Sequence, residues 1–176
     1  AFIIEHSQAR IVICDKREQL EKCLRCLGDD SAVEHIIVMD EERSSDPRVM
    51  TLSALIERGR GQDAALDERL AALTDHETAL LIYTSGTTGT PKAVQLTHGA
   101  MIAVAEAIIE RIPPLGEPGG YRSVSYLPLC HVAEQVFTNF LHLATGGEVT
   151  FCPDLTQLKE YLVAARPSLF LGVPRV

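Results

Sequence analysis

Short apolar runs alternate along this chain with segments whose apolar side chains recur at helical spacing. The runs typical of buried strands are residues 10–14, 35–39, 79–83, 123–127, 148–152 and 168–172. Helical spacing marks residues 16–27, 101–112, 133–144 and 155–162, and more weakly residues 50–74. Because strands that alternate with helices are joined by right-handed crossovers, the pattern predicts an α/β fold, with a mostly parallel sheet covered by helices.

Polar and glycine residues predict where several of these segments begin and end. Asp15, with Glu18 three residues later, is typical of a capping box at the start of the first helix. Thr97 is placed to cap the helix that follows it, and the two glycines at residues 146–147 are placed to end the next one. Residues 113–120 (PPLGEPGG) predict a mobile surface loop.

Composition excludes several classes of protein. Apolar residues make up 46% of the 176 residues and charged residues 23%, which is the balance of a globular chain and not of a disordered one. The formal net charge of −8 and the absence of Trp argue against a nucleic-acid partner. No apolar stretch approaches the roughly 20 residues of a membrane span, and we see no secretory signal.

Five scattered cysteines predict reduced thiols in a cytoplasmic protein, because the count is odd and the residues lie in apolar segments. Cys23 and Cys26 have the spacing of half a zinc site, but no second Cys or His pair has the matching spacing. We therefore interpret them as core or surface thiols.

The segment that carries chemistry is residues 83–92 (YTSGTTGTPK), which follows a predicted buried strand. Its glycines allow backbone N–H groups to turn toward an anion, its hydroxyls can donate to phosphate oxygens, and its lysine adds a positive charge. These candidate phosphate ligands are Thr84, Ser85, Gly86, Thr87, Thr88, Gly89 and Lys92. On the residues alone, a plain polar turn between two strands remains the alternative.

The same segment resembles the YTSGTTGxPK signature of the adenylate-forming superfamily. Residues 125–135 (SYLPLCHVAEQ) and 172–176 (GVPRV) are similar to its long-chain fatty acyl-CoA synthetase branch, and most of all to the bubblegum-type members. The placement and pattern of residues 9–24 (ARIVICDKREQLEKCL) fit the same branch, so the resemblance covers essentially the whole chain. It implies that residues 1–176 are part of the large N-terminal adenylation domain, with the C-terminal domain absent.

The resemblance implies ATP-dependent activation of a fatty acid, first to acyl-AMP and then to acyl-CoA, with ATP, Mg²⁺ and CoA as cofactors. It implies that residues 84–92 hold the β- and γ-phosphates, that Thr84 also helps to position Mg²⁺, and that Lys92 balances phosphate charge. His131 matches the family position beside the carboxylate and is expected to orient the substrate, whereas without the motif it would be interpreted as a half-buried histidine at a helix start. Leu127, Pro128 and residues 172–174 are expected to line or support the acyl tunnel.

Three positions depart from the family pattern. Ala93 replaces the glycine that usually follows the lysine, which is tolerable in extended backbone and costly at positive φ. Ala100 stands where an asparagine is often found. Gln135 lies four residues after the histidine, where some long-chain members carry a gating aromatic, so such a gate is in doubt.

Because parts of the family's catalytic machinery lie downstream of these residues, we expect the 176-residue chain alone not to form a thioester. Two other functions remain open: another adenylating ligase, such as a fatty acyl-AMP ligase or one for aryl or short-chain acids, and a degenerate relative that binds nucleotide or acyl chains without catalysis. A fatty acid is the expected small-molecule partner. The sequence leaves open both peripheral membrane association and the oligomeric state.

Overall fold

A computed structural model describes residues 2–28, 31–40, 44–84, 89–117 and 121–173. The chain divides into two units, residues 1–73 and residues 74–176, and each is described by itself. Within the described ranges, no helix is long and apolar enough to cross a bilayer.

The first unit is built on a three-stranded parallel sheet. Its elements are α1 (Phe2–Ser7), β1 (Ile11–Cys14), α2 (Arg17–Cys26), β2 (His35–Val38), β3 (Val49–Thr51), α3 (Leu52–Gly59) and α4 (Asp63–Ala72). The strand order is β1, β2, β3, with Ile11 opposite His35 and Ile36 opposite Val49. The predicted break of the helical region between Gly59 and Gly61 is confirmed by the gap between α3 and α4.

The core of this unit lies between the sheet and α2, because α2 directs its apolar stripe at one face of the strands. Leu20 of α2 packs with Cys14, Ile36 and Val38, all of them buried. The other side of β1 is not covered, since Ile11 and Ile13 are 57% and 60% exposed. The expectation that β1 is a fully buried strand is therefore wrong for these two residues.

The capping box predicted at Asp15 and Glu18 is also wrong. The N-cap of α2 is Lys16, one residue later than expected, and no side chain caps it. The Glu18 carboxylate instead accepts a hydrogen bond from Lys22 Nζ at 2.7 Å, one turn along the helix. An exposed ion pair of this spacing replaces the cap as the local stabilising interaction.

The second unit contains two separate pairs of strands. Its first half comprises β4 (Thr78–Thr84), β5 (Lys92–Thr97), α5 (His98–Arg111) and a 3₁₀ helix (Pro113–Gly116). Its second half comprises β6 (Arg122–Ser125), α6 (Val132–Glu134), a π-helical segment (Gln135–Phe140), α7 (Leu141–Thr145), β7 (Glu148–Phe151), a 3₁₀ turn (Leu155–Gln157) and α8 (Leu158–Ala165).

Three of the four described strand pairings are parallel, and β4–β5 is antiparallel. The exception follows from chain length, since only residues 85–91 join the two strands, whereas a parallel crossover needs a dozen or more residues. The crossover from β6 to β7, by contrast, contains three helical segments and gives the expected parallel pair. The α/β class predicted from the sequence is confirmed.

Several predicted boundaries of the second unit hold. The Thr97 Oγ1 accepts a hydrogen bond from the backbone N–H of Ala100 at 3.2 Å, so Thr97 caps α5 as expected. Gly146 ends α7 with φ +69°, a left-handed conformation that glycine adopts without steric cost. On the expected apolar face of α5, Met101 and Ala105 are buried.

Two other predictions are wrong. Residues 168–172 form no strand; their segment is held by single contacts, such as the Ser168 N–H donating to Arg122 O at 2.9 Å. Residues 113–116 form a 3₁₀ helix that buries Leu115, where the sequence predicted a mobile loop. Two prolines at the start of that turn supply the φ it needs. Residues 118–120 of the predicted loop lie outside the described residues.

Candidate functional site

The phosphate loop predicted from the sequence connects the two strands of a hairpin. Thr84, the last residue of β4, and Lys92, the first of β5, are partners in the antiparallel register, and both are exposed. The hairpin therefore brings the first and last candidate phosphate ligands together at one end of the strand pair. The candidates Ser85, Gly86, Thr87 and Thr88 lie between them and outside the described residues.

Gly89 is the loop residue for which the structure gives a backbone reason. Its φ is +83°, and an added Cβ would meet nothing within 4 Å. Backbone conformation, not crowding, therefore selects glycine at this position.

The departure from the family pattern at Ala93 has a simple structural outcome. Ala93 lies in β5 opposite Tyr83, and it is not among the non-glycine residues with positive φ. The methyl group is therefore accommodated in extended backbone. Ala100, the other alanine that departs from the pattern, contributes its backbone N–H to the Thr97 cap.

His131 lies at the start of the crossover helix, as the N-cap of α6, and it is exposed. Its backbone N–H donates to Pro128 O at 2.9 Å, and its carbonyl accepts from the Gln135 N–H at 3.1 Å. Its imidazole makes no capping hydrogen bond to the helix. The alternative interpretation of His131, a half-buried histidine at a helix start, does not fit this exposure, and the ring is accessible for a ligand.

A cleft of about 440 Å³ lies just before His131, at the carboxyl ends of β6 and β7. This is the edge of a parallel pair at which ligands bind in α/β folds, and the volume suits a small ligand. The cleft is lined by Ser125, Tyr126, Leu127, Pro128, Leu129, Phe151, Cys152 and Pro153. Leu127 and Pro128 thus lie where the resemblance implied, whereas Gly172 and Val173 do not line it, and Pro174 lies outside the described residues.

Phe170 and Leu171 instead contact Tyr126, which lines the cleft. The Tyr126 hydroxyl donates to Leu171 O at 2.8 Å, and its ring stacks on Phe170 with centroids 5.4 Å apart. The wall of the cleft is therefore fixed by a segment 45 residues further along the chain.

Glu134 is a buried carboxylate that the motifs of the sequence did not predict. Its Oε1 accepts hydrogen bonds from Ser125 Oγ at 2.5 Å and from Thr138 Oγ1 at 2.7 Å. Glu134 is 3% exposed. Helical spacing could have indicated its burial. Glu134 and Thr138 lie seven and three residues before the buried Leu141, so the three side chains share one face of the helix.

A second polar network, around His142, was also missed. The His142 Nδ1 lies 2.7 Å from Phe137 O, and Tyr121 Oη donates to the same carbonyl at 2.8 Å. A carbonyl only accepts, so this short contact places a proton on Nδ1, while Nε2 lies 3.2 Å from Ser123 Oγ and 3.3 Å from Glu148 O. Burial raises the pKa of Tyr121, so its hydroxyl remains a donor.

All five cysteines are free thiols. Cys26 is exposed at the end of α2, while Cys23 lies 3.7 Å from the buried Cys14, sulfur to sulfur. Among the residues that the structure describes, no three His, Cys, Asp or Glu side chains group in a way that could hold a metal ion.

Comparison with known proteins assigns the family. The model of the AMP-binding enzyme family matches residues 1–176. A relative from Xenopus laevis, named long-chain-fatty-acid–CoA ligase ACSBG2, is 32% identical over 182 residues, which covers 99% of this chain and 24% of the relative. A Drosophila melanogaster relative, named long-chain-fatty-acid–CoA ligase heimdall, is 42% identical over 112 residues, which covers 61% of this chain and 16% of the relative.

The fold is shared with solved structures of lower identity. The anthranilate CoA ligase AuaEII, crystallised in complex with anthranoyl-AMP, superposes with a TM-score of 0.73 at 20% identity, over 97% of this chain and 32% of that one. The chain spans about a quarter or less of the length of the curated relatives described above. By the match of the family model over all its residues, the chain belongs to the AMP-binding enzyme family.

Proposed function

We propose that this chain is a segment of the N-terminal domain of a longer AMP-forming ligase that converts a long-chain fatty acid to its CoA thioester. The observation that carries the proposal is the pairing of Thr84 with Lys92 across the hairpin, at the two ends of a loop rich in hydroxyls and glycine. The fatty-acid substrate is suggested by relatives that are named long-chain-fatty-acid–CoA ligases.

In the proposed reaction, a carboxylate oxygen of the fatty acid attacks the α-phosphorus of ATP, and the bond to the β-phosphate oxygen breaks to release pyrophosphate. The CoA thiolate then attacks the acyl carbon and AMP leaves with the electron pair of the broken bond. Both reactants of the first step are anions, so the protein contributes mainly by positioning them and by offsetting charge.

The hairpin residues are proposed to hold the β- and γ-phosphates. Backbone N–H groups of a glycine-containing loop and the Lys92 ammonium are suited to an anion that carries several charges. Both Thr84 and Lys92 are exposed, so a nucleotide can reach them.

Thr84 is further proposed to contribute to a Mg²⁺ site. Mg²⁺ prefers oxygen ligands and is usually held by one or two protein oxygens together with substrate phosphates and water. The accessible hydroxyl of Thr84 at the strand end fits this donor set. When bound, the ion would neutralise phosphate charge.

The cleft at the ends of β6 and β7 is proposed to receive the part of the fatty acid nearest its carboxylate. Its walls are largely apolar, with Leu127, Leu129 and Phe151 among them, and Leu129 and Phe151 are 48% and 63% exposed. His131 follows this wall directly, so an accessible imidazole N–H is available to orient the carboxylate.

Five free thiols support a reducing compartment, and we propose a cytoplasmic protein. Fatty acids partition into membrane surfaces, so peripheral association of the longer ligase with such a surface is part of the proposal. Sedimentation with and without fatty-acid-containing vesicles measures it directly.

The experiment that tests the proposed function is acyl-AMP trapping with the longer ligase over a series of saturated fatty acids. We expect Mg-ATP-dependent acyl-AMP with long chains and release of acyl-CoA when CoA is added. Transfer to a carrier-protein thiol but not to CoA would assign a fatty acyl-AMP ligase, and a preference for aryl or short-chain acids would contradict the substrate. Absence of acyl-AMP with every acid would indicate a relative that binds without catalysis. The 176-residue chain alone is expected to form no acyl-CoA.

A further inference from the structure

The crossover helix that begins after His131 reaches back to the segment that leads into it. Glu134 accepts a hydrogen bond from Ser125, the last residue of β6, at 2.5 Å. The next residue, Gln135, donates from Nε2 to Leu129 O at 2.6 Å. Two adjacent side chains thus hold two points of the chain between the end of β6 and His131.

The Glu134 carboxylate is buried, and it accepts hydrogen bonds from β6 and from its own helix. Glu134, Ser125 and Thr138 are 3%, 6% and 6% exposed, and both hydroxyls donate to the same carboxylate oxygen, Oε1. Loss of that oxygen would leave two hydroxyls without their acceptor in a dry environment, which is costly. This contact fixes β6 to the helix.

The Gln135 contact lies at the rim of the cleft. Its Nε2 donates to Leu129 O, while its Oε1 accepts from Asn139 Nδ2 at 2.6 Å. The second bond orients the amide so that its N–H₂ group points at Leu129. Leu129 lines the cleft, and its carbonyl is two residues before His131.

The helix that carries these side chains is itself unusual. Residues 135–140 form a π-helical segment, and segments of this kind occur frequently at functional sites. The helix starts with the Gln135 N–H bonded to His131 O, and the preceding turn closes with the His131 N–H bonded to Pro128 O. Side-chain and main-chain bonds therefore hold residues 125, 128, 129 and 131, which lie within or directly before the segment 126–131.

We propose that Glu134 and Gln135 form a clamp that fixes residues 126–131, and with them the cleft wall and His131, in position for the acyl substrate. They are positioning residues, since neither is argued to touch a reacting atom. The inference rests on the proposed function for its substrate, while its structural part stands on the contacts alone.

Isosteric exchanges separate the clamp from simple loss of packing. Glu134→Gln keeps an oxygen that can accept from both hydroxyls, so it is expected to retain the clamp, whereas Glu134→Ala removes it. Gln135→Glu replaces the donor that faces Leu129 O with a second acceptor and is expected to release the clamp at almost unchanged volume. Glu160→Gln and Gln95→Glu make the same exchanges at exposed positions of α8 and β5 and serve as matched controls.

The test combines kinetics with hydrogen exchange on the longer ligase. Gln135→Glu and Glu134→Ala are expected to raise the KM for fatty acid or lower kcat by about tenfold, and to leave the KM for ATP within about twofold, because the side-chain hydrogen bonds of the clamp are made to residues 125, 129, 138 and 139. Exchange of the amides in residues 126–131 is expected to quicken by about tenfold, with that of β7 unchanged. Glu134→Gln and the two controls are expected to match the wild type in both measurements.

Unchanged exchange in residues 126–131 of Gln135→Glu would overturn the clamp, whatever the activity. Faster exchange with unaltered fatty-acid kinetics would overturn its positioning role. If the wild-type ligase forms no acyl-AMP, the proposed function is contradicted, and so is the statement that the clamp positions an acyl substrate. The hydrogen-exchange data then still decide whether the clamp fixes residues 126–131. If Glu134→Ala does not fold, Gln135→Glu carries the test.

Discussion

Thr84 and Lys92 are cross-strand partners at the end of the β4–β5 hairpin where the candidate phosphate loop connects the two strands. The pairing places a hydroxyl and an ammonium at the two ends of a seven-residue connection, residues 85–91. An anion held by the loop would therefore meet both side chains.

Removal of the Thr84 hydroxyl should weaken the apparent affinity for Mg²⁺ more than it weakens the affinity for the fatty acid. Thr84→Ala is expected to raise the Mg²⁺ concentration needed for half-maximal pyrophosphate release by about tenfold, because one oxygen ligand is lost. Thr84→Ser retains the oxygen and is the matched control. Equal Mg²⁺ dependence of Thr84→Ala and the wild type would argue against a role for the hydroxyl.

Gly147 should not accept a side chain. An added Cβ would lie 2.6 Å from the backbone oxygen of Tyr121 and 3.0 Å from a carbon of the His142 ring. Gly147→Ala is expected to lower the free energy of unfolding by about 1–3 kcal/mol, as overpacking does. Gly172→Ala is the control, since its Cβ would meet only the Phe170 ring at 3.7 Å. Similar melting temperatures for the two variants would contradict this close approach.

The Tyr121 hydroxyl should stabilise the π-helical crossover. Tyr121→Phe removes its hydrogen bond to Phe137 O and is expected to cost about 1 kcal/mol in the free energy of unfolding. The loss is modest because His142 Nδ1 continues to donate to the same carbonyl. Tyr161→Phe is the control, at a half-buried tyrosine that packs against the cluster of Val124, Tyr126, Cys152 and Leu158. A loss no larger than that of the control in chemical denaturation would show that the bond contributes nothing.

Cys14 should resist alkylation at alkaline pH. Burial, followed by the hydrogen bond to Cys23, raises the pKa of Cys14 to about 12 from 9.0, so its thiol stays protonated at pH 8.5. Iodoacetamide at pH 8.5 is expected to modify Cys26 and Cys130 at least about tenfold faster than Cys14, as read by peptide mass spectrometry. Equal rates in the folded protein would contradict the burial, and equal rates in denaturant are the control.

The same shift has a consequence for stability. In the unfolded chain the Cys14 thiol ionises near its ordinary pKa of 9.0, while in the folded chain it remains protonated up to about 12. Its contribution to stability is therefore fully present below pH 9 and is lost as the pH rises toward 12. Cys14→Ala should remove this part of the pH dependence.

Much of the fold follows from local pattern. The parallel pairs β1–β2 and β6–β7 could be predicted because apolar runs and helical spacing alternate, and the ends at Thr97 and Gly146 because their caps are local chemistry. The antiparallel pairing of β4 and β5 follows from their short connection. Hydrophobic periodicity predicts that a strand exists and does not predict the direction of its neighbour. The missing strand at residues 168–172 has an apolar composition that suits a strand, but tertiary contacts with Arg122 and Tyr126 hold it in another conformation.

The candidate site likewise has one part that follows from local sequence and another that depends on tertiary contacts. The candidate phosphate loop is a contiguous segment, so its residues and His131 could be proposed from the sequence, and their roles stay predictions. The proposed clamp could not, because Glu134 meets Ser125, and Gln135 meets Leu129, only after the chain has turned back on itself. The one sequence signal for the clamp is a carboxylate, Glu134, on a helix face whose other residues are buried. That signal does not indicate which residue the carboxylate bonds.

The proposal that residues 84–92 hold the phosphates of ATP is tested most directly by one exchange in the longer ligase. Lys92→Ala removes the cation at the loop end, and Lys159→Ala removes one from an exposed position of α8. Fatty-acid-dependent pyrophosphate release should fall by about 10²-fold or more in Lys92→Ala, because charge neutralisation at the phosphates is lost, and remain at the wild-type rate in Lys159→Ala. Equal rates for the wild type and Lys92→Ala would contradict it.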